Sequence, residues 1–103
     1  MGTPAAALKA IKAAVSAGAW RPDPHLIKQM ARRGLILADV VTAIESARRI
    51  QPHDMLPLNE GGESWRVYGE DTEGRLLGVG VELVADAEGD FVVVLTAFIE
   101  ERK

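Results

Sequence analysis

Two histidines, His25 and His53, are the only side chains of this 103-residue chain that titrate near neutral pH without a special environment. His25 stands in PHLIKQMARRGL (24–35), a basic stretch that also carries Arg32 and Arg33. On a helix, His25 and Arg32 share a face, and Arg33 lies about 80° further round. Further along the chain come Arg66 and Tyr68 in SWRVYGE, Arg75 after DTEG, and Thr96 in VVVLTAF. This set suits cleavage of RNA without a metal. The 2′-hydroxyl must lose a proton to attack the adjacent phosphate, and the leaving 5′-oxygen must gain one. Histidine can serve either step. Arginine forks onto phosphate oxygens, and fixed cations offset the charge that builds up during attack. The expected roles follow. His25 is general base or acid, Arg33 and Arg66 clamp the phosphate, and Arg32 and Arg75 add substrate contacts. Tyr68 donates a proton or stacks on a base, and Thr96 donates a hydrogen bond to phosphate. A structural reading stands beside each role. His25 also suits a helix start, Arg33 a helix C-terminus, and Thr96 an ordinary strand position.

Other chemistries have less support. There is no cysteine, hence no disulfide, thiolate metal site or cysteine nucleophile. The two histidines are far apart and form no HxxxH or HxH pair, so neither a metal nor a cofactor is expected. The GVG of residues 78–80 sits inside a strand with no helix after it, unlike a dinucleotide fingerprint. Net charge is −3, but residues 1–35 carry six basic side chains against Asp23 alone, while residues 64–103 carry nine acids against four bases. Such asymmetry can give an anion-binding face on a net-acidic protein, or simply a solvated surface. No apolar run is long enough to cross a bilayer, and a cytoplasmic location is expected.

The elements that must position these residues are legible in outline. A single domain, 1–103, divides into a helical part (4–50), a loop (51–63) and a sheet (64–99). Leu8, Ile11 and Val15 mark a first helix that ends near Gly18. Asp23 caps a second, with Pro24 in its first turn, Leu26, Ile27, Met30 and Ala31 facing inward, and Gly34 ending it. ADVVTAIESARRI (38–50) reads as a third, with Arg48 and Arg49 at its C-terminus. QPHDMLPLNEGGE is irregular. Three strands then follow, separated by the turn sequences DTEG and DAEG. Along the first, Trp65 and Val67 point one way and Ser64, Arg66 and Tyr68 the other. Gly78 and Gly80 fall in one row of the second and leave a low shelf, or a seat for packed side chains. The expected fold is α+β: N-terminal helices packed on one face of a C-terminal antiparallel meander of about three strands.

HLIKQMARRGLILADV, ESWRVYGEDTEGRLLGVGVEL and VVVLTAF together resemble the bacterial family labelled domain of unknown function 4258, over roughly residues 24–99. Members of that family resemble small toxins of the RelE and barnase-like ribonuclease group. The pattern falls on His25, Arg33-Gly34, Gly69-Asp71-Gly74-Arg75 and Thr96-Ala97-Phe98. AAVSAGAWR, WRVY and VVVLTAFIEE are also similar to the MqsR-type mRNA-cleaving toxins, with Tyr68 on their functional tyrosine. The resemblance implies a RelE/MqsR-like endoribonuclease acting on single-stranded RNA. A cognate antitoxin or immunity protein would control it, and a homodimer is allowed. The lysine that MqsR-type toxins carry after the last strand's phenylalanine is here Ile99. An inactive binding or immunity module on the same scaffold is therefore the alternative.

Overall fold

The computed structural model of the chain describes residues 3–53, 62–86 and 89–100. Helix α1 (Pro4–Ser16) starts where Thr3 accepts a hydrogen bond from the Ala6 N–H. Helix α2 (Pro24–Arg33) is capped by the Asp23 carboxylate, which accepts from the His25 N–H at 3.0 Å. It closes on Gly34 in the left-handed region, φ 67°, where a side chain would be strained. Helix α3 is Leu37–Ser46.

The strands are β1 (Trp20–Pro22), β2 (Arg49–Pro52), β3 (Glu63–Glu70), β4 (Leu76–Asp86) and β5 (Gly89–Ile99). They form one sheet in the order β1-β5-β4-β3-β2. The expected antiparallel meander is its centre, β3-β4-β5. A three-stranded meander is nevertheless too small a description. β2 extends it antiparallel beside β3, and β1 pairs parallel with β5 from Trp20↔Val92 to Pro22↔Val94. Both added strands are short, lie at edges and end in proline, which edge strands tolerate because they need no donor on the outer side.

Two boundaries shift as a result. Helix α3 stops at Ser46 because Ala47 turns extended (φ −63°, ψ 136°), so Arg48 and Arg49 do not end a helix. Arg49 pairs instead with Tyr68 across β2 and β3. The expected loop 51–63 loses Gln51 and Pro52 to β2 and Glu63 to β3. Its residues 54–61 lie outside the described residues, as do 87–88 of the DAEG turn.

Helices α1 and α3 cover one face of the sheet. Trp65, Val67, Leu77, Val79, Val81, Val92 and Val94 are almost wholly buried there, with Ile11, Val40 and Ile44 from the helices. Each fully buried side chain of this size contributes about 1.5–3 kcal/mol. Helix α2 packs along β5 through Leu26 and Met30. Ile27 and Ala31, expected inward, are exposed, because the helix presents a narrower face to the core than the sequence spacing suggested.

A bulge in β5 decides which residues reach the second face. Gly80 pairs with Thr96 but Val81 pairs with Val94, leaving Leu95 extra. Strict alternation from Val92 and Val94 would aim Thr96 into the core. The extra residue reverses the parity, so Ala97 faces the core while Thr96 and Phe98 turn outward.

Candidate functional site

The second face of the sheet carries polar rows. Gln51, Arg66, Gly80 and Thr96 lie side by side across β2, β3, β4 and β5. One step along are Arg49, Tyr68, Gly78 and Phe98; one step the other way, Ser64 faces Glu82. Arg66, Tyr68 and Thr96 are thus gathered on one surface, as parity in the first strand and the bulge in the last require.

The two glycines do not leave an empty shelf. A Cβ on Gly78 would lie 2.3 Å from the Phe98 ring. One on Gly80 would lie 2.6 Å from Thr96 Cγ2 and 3.4 Å from the His53 ring. The missing side chain of Gly80 is therefore what lets Thr96 and the His53 ring close over β4. Arg66 Nη2 is 3.4 Å from His53 Nε2, and the guanidinium lies over Phe98, 5.6 Å from the ring centroid. Among the described residues, Arg66 Nε and the Ser64 hydroxyl are buried with no hydrogen-bond partner. A buried donor of that kind costs free energy until an acceptor meets it.

Helix α2 closes the other flank. The Thr96 hydroxyl donates to Gln29 Oε1 at 2.7 Å. Arg33 donates to the Ala97 carbonyl at the edge of β5, so its guanidinium is anchored beside Thr96. His25 lies one turn before Gln29 on nearly the same helix face, exposed at the start of α2. His53, just past β2, borders Gly80 and Arg66, whereas His25 stands exposed at the start of α2, four residues before the Gln29 that meets Thr96. Arg32 is exposed in the last turn of α2.

Tyr68 is only 7% exposed. Its phenol oxygen accepts from the Gln51 amide at 3.1 Å, and the Arg49 guanidinium covers its ring at 3.8 Å from the centroid. A base cannot stack on a ring face already covered in this way.

Arg75, expected to contact substrate, is held by three carboxylates. It lies 2.6 Å from Asp71, 2.8 Å from Glu73 and 3.8 Å from Asp39. These acids would repel an incoming phosphate, and the group instead ties the β3–β4 turn to the start of α3. Asp39 is drawn below the usual carboxylate range chiefly by the Thr72 hydroxyl at 2.5 Å. Burial pushes Asp71 up, but hydrogen bonds from Arg75 and Glu73 outweigh it and the net direction is down. Arg75 is raised, first by its bond to Asp71.

His53, Gln29 and Arg49 carry no functional signal in the sequence, where Arg49 reads only as the end of a helix. The available signal was proline punctuation after RRI, which fits a short edge strand as well as a helix end. Among the described residues, no three or more His, Cys, Asp or Glu side chains group to hold a metal ion. No described helix is long and apolar enough to cross a membrane.

The family model described as domain of unknown function (DUF4258) matches residues 23–99, from the cap of α2 to the end of β5. That span holds every residue of the strip and leaves out α1 and β1. No curated protein matches the chain.

Proposed function

The chain belongs to the DUF4258 family, and we propose that it is an endoribonuclease toxin that cleaves single-stranded RNA without a metal. The observation that supports this most is the gathering of Arg66, His53 and Thr96 around Gly80 on one face of the sheet. A phosphate approaching this face meets the Arg66 guanidinium, while the Thr96 hydroxyl, which already donates to Gln29, holds α2 beside it. Arg33, anchored on the Ala97 carbonyl, adds positive charge from the α2 side.

Proton transfer is assigned to the two histidines, His53 beside Arg66 and His25 on α2. One removes the 2′-hydroxyl proton as that oxygen attacks phosphorus. The other protonates the 5′-oxygen as its bond to phosphorus breaks, leaving a 2′,3′-cyclic phosphate and a free 5′-hydroxyl. Tyr68 supports Arg49 in this arrangement and does not itself transfer a proton. An antitoxin or immunity protein would cover the site. Ile27, Ile36 and Leu37, exposed apolar residues of α2 and the start of α3, offer it an anchor.

The test is incubation of the purified protein with single-stranded RNA in EDTA, beside His25→Ala, His53→Ala and Arg66→Ala. Cleavage by the wild type and a loss of about 10²-fold or more in each histidine variant is expected. Cleavage that needs added divalent ions would overturn the mechanism.

A second reading has its own support. Arg33 and Arg75 both make structural contacts, and Ile99 stands where MqsR-type toxins carry lysine. On that reading the protein is an inactive toxin-fold binding module. It predicts no growth inhibition when the protein is induced in a bacterial host, with RNA binding unaffected by His25→Ala.

A further inference from the structure

The turn from α3 into β2 opens a cleft of ≈ 500 Å3 at one end of the sheet, lined by Ser46, Arg48, Arg49, Tyr68, Glu70 and Leu76. Arg49 has an unusual setting in it. The Tyr68 ring lies under its guanidinium, 3.8 Å away. Glu100 holds its edge, with Nη2 3.3 Å from Oε1 and 3.2 Å from Oε2. The Arg49 side chain is nevertheless 59% exposed. Tyr68 is itself fixed from below by burial and from the side by Gln51.

An exposed arginine–glutamate pair adds little to stability, because solvent screens it and ordering two long side chains costs entropy. Its effect here is geometric. It holds a planar cation still, with one face covered and the other turned to solvent. We propose that this platform, Arg49 on Tyr68, is a nucleobase subsite, with a base stacked on the outer guanidinium face and Leu76 as its apolar wall. Arginine planes stack on bases, as a lysine ammonium cannot. Arg48 stands in the same cleft to meet the phosphate attached to that base.

Charge favours a base over a bare anion. Glu70 lines the cleft and Glu100 borders it, so a polyanion filling it would meet two carboxylates. A neutral heterocycle escapes that repulsion. Position gives the substrate class. Tyr68 is two residues from Arg66 on the same row of β3, roughly 7 Å at strand rise, about one nucleotide step. The base bound on Arg49 is then the neighbour of the phosphate at Arg66, and the ligand is an extended single strand. This placement rests on the ribonuclease reading; the base subsite itself does not.

The experiment is fluorescence anisotropy with a labelled 2′-O-methyl RNA hexamer, which cannot be cleaved through its 2′-oxygen, against an abasic strand of the same length and charge. Wild type is expected to bind the hexamer at least tenfold more tightly than the abasic strand. Arg49→Lys and Arg49→Ala, both at an exposed position, are expected to abolish that preference. Tyr68→Phe, which keeps the ring beneath Arg49, is expected to retain it. Full preference in Arg49→Lys would overturn the proposal, since charge alone would then suffice. So would equal binding of the two strands, or no binding of either, by the wild type. Base-dependent binding without RNA cleavage would uphold the subsite and remove only the nuclease reading.

Discussion

Thr96 hands its hydroxyl hydrogen to Gln29, 2.7 Å away, and so joins the last strand to the helix that carries His25 and Arg33. The bond exists only because the bulge at Leu95 turns Thr96 out of the core. It places α2 against the strip on which Arg66 and His53 stand.

Thr96→Val keeps the shape of the side chain and removes the donor. The Gln29 carbonyl oxygen is left with one partner fewer, at a cost of about 1 kcal/mol in stability. RNA cleavage should fall at least tenfold, and Thr96→Ser should restore most of it. Urea denaturation beside kcat on a fluorogenic oligonucleotide separates the two effects.

Gly80 is a second point of control. Any side chain there meets Thr96 Cγ2 at 2.6 Å, and a γ-methyl on a strand has little room to yield. Gly80→Ala should cost about 1–3 kcal/mol through overpacking. It should also reduce cleavage by more than the loss of folded protein explains, because it pushes Thr96 and His53 out of their places beside Arg66. Thermal melting and activity measured well below the melting temperature distinguish these contributions.

The Asp39–Thr72–Asp71–Arg75 network predicts sensitivity to acid. Both carboxyls lie below their ordinary 3.8 in the folded protein. Their contribution to stability is therefore complete above that value and is lost as pH falls below it, through the depressed folded values. Urea midpoints should hold between pH 7 and 5 and drop steeply below pH 4. Asp39→Asn should be less stable than wild type at pH 7 and lose less on acidification.

Much of this was legible in the sequence. Asp23, Pro24 and Gly34 bounded α2, and alternation in WRVY and LLGVGVEL sorted the core row from the polar one. The capping and periodicity signals there are local and strong. The missed features depend on distant partners. β1 and β2 have three and four residues, too few for a pattern, and are strands only because β5 and β3 offer edges to pair with. The bulge leaves no mark in VVVLTAF. His53 reads as a loop residue until β2 carries it beside Arg66. Arg75, in a family-like motif, looked available for substrate until the turn folded Asp39, Asp71 and Glu73 around it.

The most direct test of the central claim is the chemistry at the cut ends. Single-stranded RNA is treated with the protein in EDTA, and the product termini are read by mass spectrometry for the wild type, Arg66→Ala and Thr96→Val. The expected result is 2′,3′-cyclic phosphate and 5′-hydroxyl ends from the wild type, strongly reduced in both variants, and no cleavage of DNA of the same sequence. 5′-Phosphate ends, cleavage of the DNA, or full activity in Arg66→Ala would contradict it.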